Sequence, residues 1–91
     1  MPKVIITAQV DDGAKWEANF STHGDVRKSY GLGAPVHYAV NGNQVTLCME
    51  PTNLDTFMTA MQAPATVSAM ASDGVKAATV KMVVLDKSLA V

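Results

Sequence analysis

Three side chains suited to acid–base chemistry, His23, Arg27 and Tyr38, lie in the first half of this 91-residue chain. Imidazole exchanges protons near neutral pH, so His23 could serve as a general acid or base. The guanidinium of Arg27 could bind a carboxylate or stabilise the oxyanion of an enolate. The hydroxyl of Tyr38 could donate a hydrogen bond to a bound carbonyl or to His23. Together these groups predict proton transfer next to a carbonyl.

Each of these residues also has an ordinary structural interpretation. A histidine at a helix end, such as His23, can simply hydrogen-bond local carbonyls or water. Arg27 could pair in solvent with Asp25 or with a carboxylate elsewhere. Tyr38 could be a core residue whose hydroxyl finds a protein partner. The sequence leaves both interpretations open for all three residues.

Apolar side chains near His23 could surround a ligand. Trp16, Phe20 and His23 recur at helical spacing, so they share one helix face. The two aromatic rings would then line a pocket or fill the core. Tyr30, beside a glycine-containing loop, and Met58, on a later helix, are further candidates for substrate contacts, since methionine adapts to irregular apolar surfaces.

Capping and turn residues predict the elements that carry these groups. Alternating β-branched residues over 3–10 predict the first strand. Asp11 or Asp12 then offers a carboxylate to cap a helix. Gly24 should end or bend that helix, and a further helical turn can follow before Gly31.

The Asn41-Gly42 pair is a strong signal for a two-residue hairpin turn, because both positions of a type I′ turn need positive φ. It lies between extended segments at 36–40 and 43–50. The register that this turn predicts joins three pairs: Val36 with Leu47, His37 with Thr46, and Tyr38 with Val45.

The second half of the chain predicts two helices and a last strand. Asn53 caps a helix whose apolar stripe includes Met58. Pro64 begins a short helix that closes at Gly74. Residues 75–85 then predict the final strand. The order β-α-β-β-α-β predicts an α+β, ferredoxin-like fold over residues 1–91, a single domain in which a four-stranded antiparallel sheet carries its helices on one face.

The second face of this sheet has an unusual composition. Apolar residues make up 48% of the chain and charged residues only 16%, below the usual ~25%. The helix-free face mixes apolar and polar side chains: Ile5, Thr7, Gln9, His37, Ala39, Thr46, Cys48, Glu50, Thr79, Lys81, Val83 and Leu85. A face of this kind is too apolar for water and too polar for a sealed core. It predicts a homodimer in which two copies pack sheet against sheet.

Several functional classes are excluded by composition. A net charge of −1 and a high apolar content argue against both disorder and nucleic-acid binding. No stretch approaches the ~18 apolar residues of a membrane span. The single cysteine, Cys48, cannot form a disulfide within the chain, and we expect a cytoplasmic protein.

A metal site or cofactor site is not expected. His37, Cys48 and Glu50 share the helix-free face, but the predicted register places Cys48 opposite Pro35 and His37 only diagonal to it. The segment around Gly31 also lacks the strand-to-helix context of a phosphate-binding loop. We therefore expect no metal and no cofactor.

The spacing Trp-x3-Phe-x2-His-x3-Arg-x3-Gly, from Trp16 to Gly31, resembles that of small dimeric α+β-barrel proteins related in fold to antibiotic-biosynthesis monooxygenases and often called cyclases. A strand ending at Glu50 and the segment from Pro64 to Gly74 continue the resemblance. It implies a homodimer whose sheets face each other, with a pocket between sheet and helices in each subunit. That superfamily includes cofactor-independent oxygenases, cyclases, isomerases and haem-degrading enzymes, so the fold alone selects no reaction.

Three functional hypotheses follow. The first is a cofactor-independent enzyme acting on a small apolar carbonyl-bearing or aromatic molecule, with His23 moving a proton and Arg27 or Tyr38 stabilising an oxyanion. The second is a non-catalytic dimer that binds a hydrophobic ligand. The third is a purely structural assembly protein.

Overall fold

Four antiparallel strands form one sheet in the computed structural model, which describes residues 2–91. The strands are β1 (Lys3–Gln9), β2 (His37–Asn41), β3 (Gln44–Met49) and β4 (Lys81–Leu85), and the helices are α1 (Gly13–Thr22), α2 (Gly24–Lys28), α3 (Leu54–Met61) and α4 (Pro64–Ser72). The strand order β2-β3-β1-β4 places β1 beside both β3 and β4. The predicted α+β, ferredoxin-like architecture is confirmed.

The core lies between one face of the sheet and the helices. Alternate residues of β1 and β3 are buried because successive side chains of a strand point to opposite faces. The buried apolar residues come from these strands, from the helices and from the residues that follow β1 and α2: Val4, Ile6, Ala8, Val10, Trp16, Tyr30, Val45, Leu47, Met49 and Phe57. Phe57 of α3 is completely buried and packs edge-on against Tyr30, with ring centroids 5.9 Å apart. The helices thus cover the face that alternation predicts.

Helix α1 begins against the β2–β3 hairpin. The carboxylate of Asp12 accepts a hydrogen bond from the backbone N–H of Lys15 at 3.1 Å, as the predicted cap requires. Gly13 follows and is buried. A Cβ atom at this position would lie 2.1 Å from the carbonyl oxygen of Gly42 and 2.8 Å from Cγ1 of Val40. Only glycine therefore allows the helix to start this close to the hairpin.

The β2–β3 hairpin is present, but the predicted register is wrong by two residues. Asn41 pairs with Gln44, so the turn residues are Gly42 and Asn43. Gly42 has a φ of +60°, and no residue other than glycine has positive φ in the described part of the chain. The turn therefore has glycine at its first central position, as in type II′, and Asn41 remains in the strand. A shift of two residues keeps every side chain on its predicted face.

The last strand is shorter than the predicted 75–85. Val75 makes an isolated bridge to Val10, and residues Ala77–Thr79 then form a 3₁₀ turn, so β4 begins only at Lys81. The Thr79 hydroxyl stabilises this turn by donating to the carbonyl of Lys76 at 2.6 Å. Threonine competes for backbone groups in this way, which interrupts a strand despite its β-branched side chain.

The helix-free face of the sheet is open. Register places His37, Cys48, Ile5 and Val83 in one row across the four strands, and Ala39, Thr46, Thr7 and Lys81 in the next. Val83 is 55% exposed and Leu85 is 47% exposed.

None of the helices within residues 2–91 combines the length and the hydropathy needed to cross a membrane.

Candidate functional site

His23 lies at the junction of two helices. It is the C-cap residue of α1. Its backbone N–H donates to the carbonyl of Phe20, and its backbone carbonyl accepts from the backbone N–H of Arg27 in α2. Two features of the sequence favour a break here. The hydroxyls of Ser21 and Thr22 donate to α1 carbonyls three residues earlier, which competes with the regular helix pattern, and Gly24 follows with low helix propensity.

Arg27 contacts the end of α1. Its guanidinium donates to the backbone carbonyl of Phe20 and, at 3.3 Å, to that of Ser21. These carbonyls lie in the last turn of α1, where helical partners run out. The Arg27 Cζ atom also lies 5.0 Å from the centroid of the Phe20 ring, a cation–π distance. Asp25, the partner considered from the sequence, lies 3.7 Å from Lys28 instead.

Asp73 is the site residue that the sequence interpretation missed. It ends α4 in a Schellman motif, in which Gly74 N–H donates to the Ala71 carbonyl at 3.2 Å and Val75 N–H donates to the Met70 carbonyl at 3.0 Å. Gly74 has the positive φ, +76°, that this motif requires. An acidic residue at a helix C-terminus opposes the helix dipole. That unfavourable placement, readable from Asp73-Gly74, was the available signal.

His23 and Asp73 form a hydrogen-bonded pair. Nδ1 of His23 lies 3.1 Å from Oδ2 of Asp73, and the side chains are 28% and 5% exposed respectively. Burial raises the pKa of the Asp73 carboxyl above its ordinary value of 3.8, although the charge and hydrogen bond of His23 oppose the rise. The carboxylate holds the proton on Nδ1, which leaves Nε2 as the nitrogen able to accept another proton.

A cavity of about 60 Å³ adjoins this pair between the sheet and the helices. Its wall is mainly apolar. The apolar lining residues come from β1, β3, the four helices and the segment after α4: Ile6, Ala8, Trp16, Phe20, Val26, Val45, Leu47, Met49, Met61, Ala69, Met70, Val75 and Val80. The ionisable side chains in the wall are His23, Arg27, Tyr30 and Asp73. One buried water needs about 10–15 Å³ of such cavity space, so the cavity has room for a molecule of a few heavy atoms.

The structure brings five of the seven predicted site residues to this cavity. Trp16 and Phe20 stack with ring centroids 4.8 Å apart and both contribute to the wall, as do His23, Arg27 and Tyr30. The prediction that the two aromatic rings lie on the face of His23 therefore agrees with the geometry.

Tyr38 and Met58 do not line the cavity. The Tyr38 hydroxyl donates to Oε2 of Glu17 at 2.6 Å, not to His23, and its side chain is 44% exposed. Tyr38 is partly exposed because it lies on the edge strand β2, where its ring packs edge-on against Trp16 and Phe20. The hydrogen bond to Glu17 raises the pKa of Tyr38. Met58 packs against the core instead.

The corrected hairpin register also changes the surroundings of Cys48. His37 lies directly opposite Cys48, where the sequence had placed Pro35. Within residues 2–91, no group of three or more His, Cys, Asp or Glu side chains is arranged to hold a metal ion.

The raised pKa of Asp73 predicts a pH-dependent stability. At pH values between 3.8 and the folded-state pKa of Asp73, the carboxyl of the folded protein still holds its proton, whereas that of the unfolded protein has released it. The folded state therefore binds more protons than the unfolded state, and its stability falls as pH rises through this window. Asp73→Asn lacks this titration, so wild type should lose stability relative to Asp73→Asn from acid toward neutral pH.

Urea unfolding of both proteins at a series of pH values measures this difference directly. Asp86→Asn changes an exposed aspartate in the C-terminal segment and serves as the control, for which we expect a flat difference from wild type. A wild-type stability that rises relative to Asp73→Asn with pH would show that the His23 hydrogen bond outweighs desolvation.

Comparisons with known proteins bear on the fold. No family model matches the sequence, and no curated protein sequence matches it closely. Among solved structures, SnoaB, a cofactor-independent oxygenase from Streptomyces nogalater, is similar with a TM-score of 0.71 and 16% identity, over 98% of this chain and 94% of that chain.

Two further structures are similar over most of their length. A monooxygenase from the gene ActVA-Orf6 of Streptomyces coelicolor, in complex with Nanaomycin D, gives a TM-score of 0.63 and 17% identity over 99% of this chain and 89% of that chain. Protein Atu4242 from Agrobacterium tumefaciens gives a TM-score of 0.66 and 19% identity over 97% of this chain and 94% of that chain. The chain thus shares the ferredoxin-like α+β fold of these solved structures, antibiotic-biosynthesis monooxygenases among them.

Proposed function

We propose that the protein is a small enzyme that moves a proton on a small, mainly apolar molecule, either carbonyl-bearing or aromatic, bound in the cavity. The observation that carries this proposal is the His23–Asp73 pair in an otherwise apolar wall. A histidine whose Nδ1 is held by a buried carboxylate is oriented for proton transfer at Nε2. An apolar surround excludes water, which strengthens electrostatic interactions with a developing charge.

The proposed step is proton abstraction next to a carbonyl. Nε2 of His23 takes the proton, the C–H electron pair forms a carbon–carbon double bond, and the carbonyl π pair moves onto oxygen. Asp73 stabilises the imidazolium that results. Arg27 uses some of its N–H groups on α1 carbonyls, and those remaining are proposed to stabilise the enolate oxygen.

The enolate can then react in three ways. Reprotonation at another atom gives isomerisation, attack on an internal electrophile gives cyclisation, and reaction with O₂ gives oxygenation. The similarity to SnoaB, a cofactor-independent oxygenase, supports including O₂ among the reactants tested. A cavity of about 60 Å³ favours a substrate of a few heavy atoms. Larger substrates require the flexible side chains of Met61 and Met70 to move aside.

The test uses butanone and phenylacetone, one aliphatic and one aromatic ketone with exchangeable C–H groups. Wild type should accelerate exchange of their α-protons in D₂O, followed by NMR, with O₂ uptake recorded in parallel. His23→Asn keeps an N–H donor for Asp73 but removes the base, so exchange should fall by about 10²-fold or more. His37→Asn is the control, since the other histidine lies on the helix-free face. Exchange that is equal in His23→Asn and wild type would refute the proposal.

A second candidate function is non-catalytic binding of a hydrophobic ligand. The observation that favours it is the apolar character of most of the cavity wall. Native mass spectrometry of the purified protein detects a retained ligand and the oligomeric state together. A retained ligand without any catalysed exchange would favour this second function.

We also propose that the chain works as a homodimer through the helix-free face of the sheet. Val83 and Leu85 are about half exposed there, beside the partly buried Ile5 and Cys48. The isolated chain exposes 5805 Å². A monomer of this mass exposes roughly 5,100 Å² on average, and both the open sheet face and residues 86–91 contribute exposed surface. Packing two such faces together would remove apolar area from water.

A further inference from the structure

One oxygen of Asp73 has no hydrogen-bond partner. Oδ2 contacts Nδ1 of His23, but Oδ1 is buried and, within residues 2–91, no donor reaches it. The side chain as a whole is only 5% exposed, so bulk water does not compensate. Leaving a buried acceptor unpaired destabilises the folded state, and more so when the acceptor is charged. Such groups are rare in folded proteins and require an explanation.

The groups near Asp73 leave Oδ1 without a donor within residues 2–91. The backbone N–H of Asp73 makes a helical hydrogen bond to Ala69, and those of Gly74 and Val75 donate to α4 carbonyls in the Schellman motif. Arg27, the cation that shares the cavity wall, directs part of its guanidinium to carbonyls at the end of α1, and none of its N–H groups reaches Oδ1. The residues of α4 and the following segment that line the cavity beside Asp73, Ala69, Met70 and Val75, have apolar side chains. Because Asp73 lines the cavity, a molecule bound there can supply the missing donor.

The chemistry of this acceptor restricts the ligand. A carboxylate oxygen accepts hydrogen bonds and repels anions, so the ligand must bring an O–H or N–H group and carry no negative charge there. The mainly apolar wall selects a neutral molecule. A cavity of about 60 Å³ limits it to a few heavy atoms.

We infer that Asp73 is a substrate-binding residue as well as the partner of His23, and that the site takes a small neutral α-hydroxy ketone whose hydroxyl donates to Asp73 Oδ1. This inference rests on the proposed proton transfer at His23. With the hydroxyl on Oδ1, the carbon that bears it lies beside the same histidine. Nε2 of His23 takes the proton of that carbon, the C–H pair forms a double bond, and the carbonyl π pair moves to oxygen to give an enediolate. Return of a proton to carbon racemises or isomerises the substrate, with no oxidant or reductant consumed.

Acetoin and butanone provide a matched pair of probes, since they differ by the hydroxyl alone. We expect wild type to bind acetoin at least about tenfold more tightly than butanone by ligand-observed NMR or calorimetry, because a site built around a hydroxyl strongly rejects the analogue lacking it. Asp73→Ala should bring this affinity ratio close to one. Asp73→Asn keeps the shape of the side chain and should also lower the ratio, which guards against a folding defect in the alanine variant.

A separate readout tests the catalytic step. Wild type should exchange the carbinol proton of enantiopure acetoin in D₂O and racemise it, whereas His23→Asn should bind acetoin with the wild-type preference but exchange it about 10²-fold more slowly. Equal wild-type affinity for the two ketones, or no binding of either at tens of millimolar, would overturn the inference about Asp73. An intact preference for acetoin without any exchange would instead overturn the proposed function and leave Asp73 as the binding residue.

Discussion

Gly13→Ala is expected to lower the free energy of unfolding by about 2–4 kcal/mol, at the upper end of the cost of overpacking a buried site, because the clash is with backbone. The added Cβ would lie 2.1 Å from the carbonyl oxygen of Gly42, well inside van der Waals contact. That oxygen belongs to the hairpin backbone and cannot rotate away as a flexible side chain would. Either α1 must move off the sheet or the hairpin must deform. Thermal unfolding should show a fall in Tm of roughly 10–30 °C.

Gly24→Ala is the matched control for this prediction. Gly24 is also the first residue of a helix, and a Cβ there would meet only an Arg27 nitrogen at an ordinary 3.7 Å. Alanine is the better helix former, so this variant should be as stable as wild type or more stable by up to about 1 kcal/mol. Equal Tm values for Gly13→Ala and Gly24→Ala would show that α1 does not start so close to the hairpin.

Val83→Glu is expected to convert the proposed dimer into monomers. Val83 is 55% exposed on the helix-free face, where it lies opposite Ile5 in the β1–β4 register. A twofold interface contains each residue twice, so one substitution introduces two carboxylates. Burying an unpaired charge costs several kcal/mol, and we expect the dimer dissociation constant to rise by at least about 100-fold. Sedimentation or native mass spectrometry should then report the mass of a single chain.

Val67→Glu distinguishes loss of a specific interface from a general effect of charge. Val67 has almost the same exposure, 53%, but lies on helix α4 on the opposite side of the sheet. It should leave the oligomeric state unchanged. A wild-type protein that is monomeric, or a dimer that Val67→Glu disrupts and Val83→Glu does not, would show that the helix-free face is not the interface.

Much of the fold could be predicted because its signals are local. Alternating apolar residues predicted β1. Asp11 or Asp12 was predicted to cap α1, and Asp12 does so; Asn53 was predicted to cap the next helix, and its hydrogen bond confirms this. The Asn41-Gly42 pair predicted a hairpin correctly but its register wrongly. Local preference allows asparagine a positive φ, whereas the sheet keeps Asn41 paired with Gln44. The predicted last strand was too long for a similar reason, because residue periodicity does not indicate the hydrogen bond that the Thr79 hydroxyl makes.

The candidate site was harder to predict, because its central contact joins distant parts of the chain. Helical spacing was enough to group His23 with Trp16 and Phe20 on one face. Nothing in that spacing could indicate Asp73, which reaches His23 only through the geometry of the α4 terminus. The exposure of Tyr38 was missed for a related reason, since its place at the sheet edge depends on the strand order. Pairwise contacts of this kind follow from topology, not from composition.

The His23–Asp73 contact also has a consequence for folding. Its two residues are separated by 50 positions and belong to the two successive halves of the β-α-β-β-α-β chain. Closing a loop of that length costs more conformational entropy than closing a local turn or hairpin. A partly folded chain can hold α1 and the hairpin but not the acid–base pair. Chemical competence therefore requires the second half of the chain to dock onto the first.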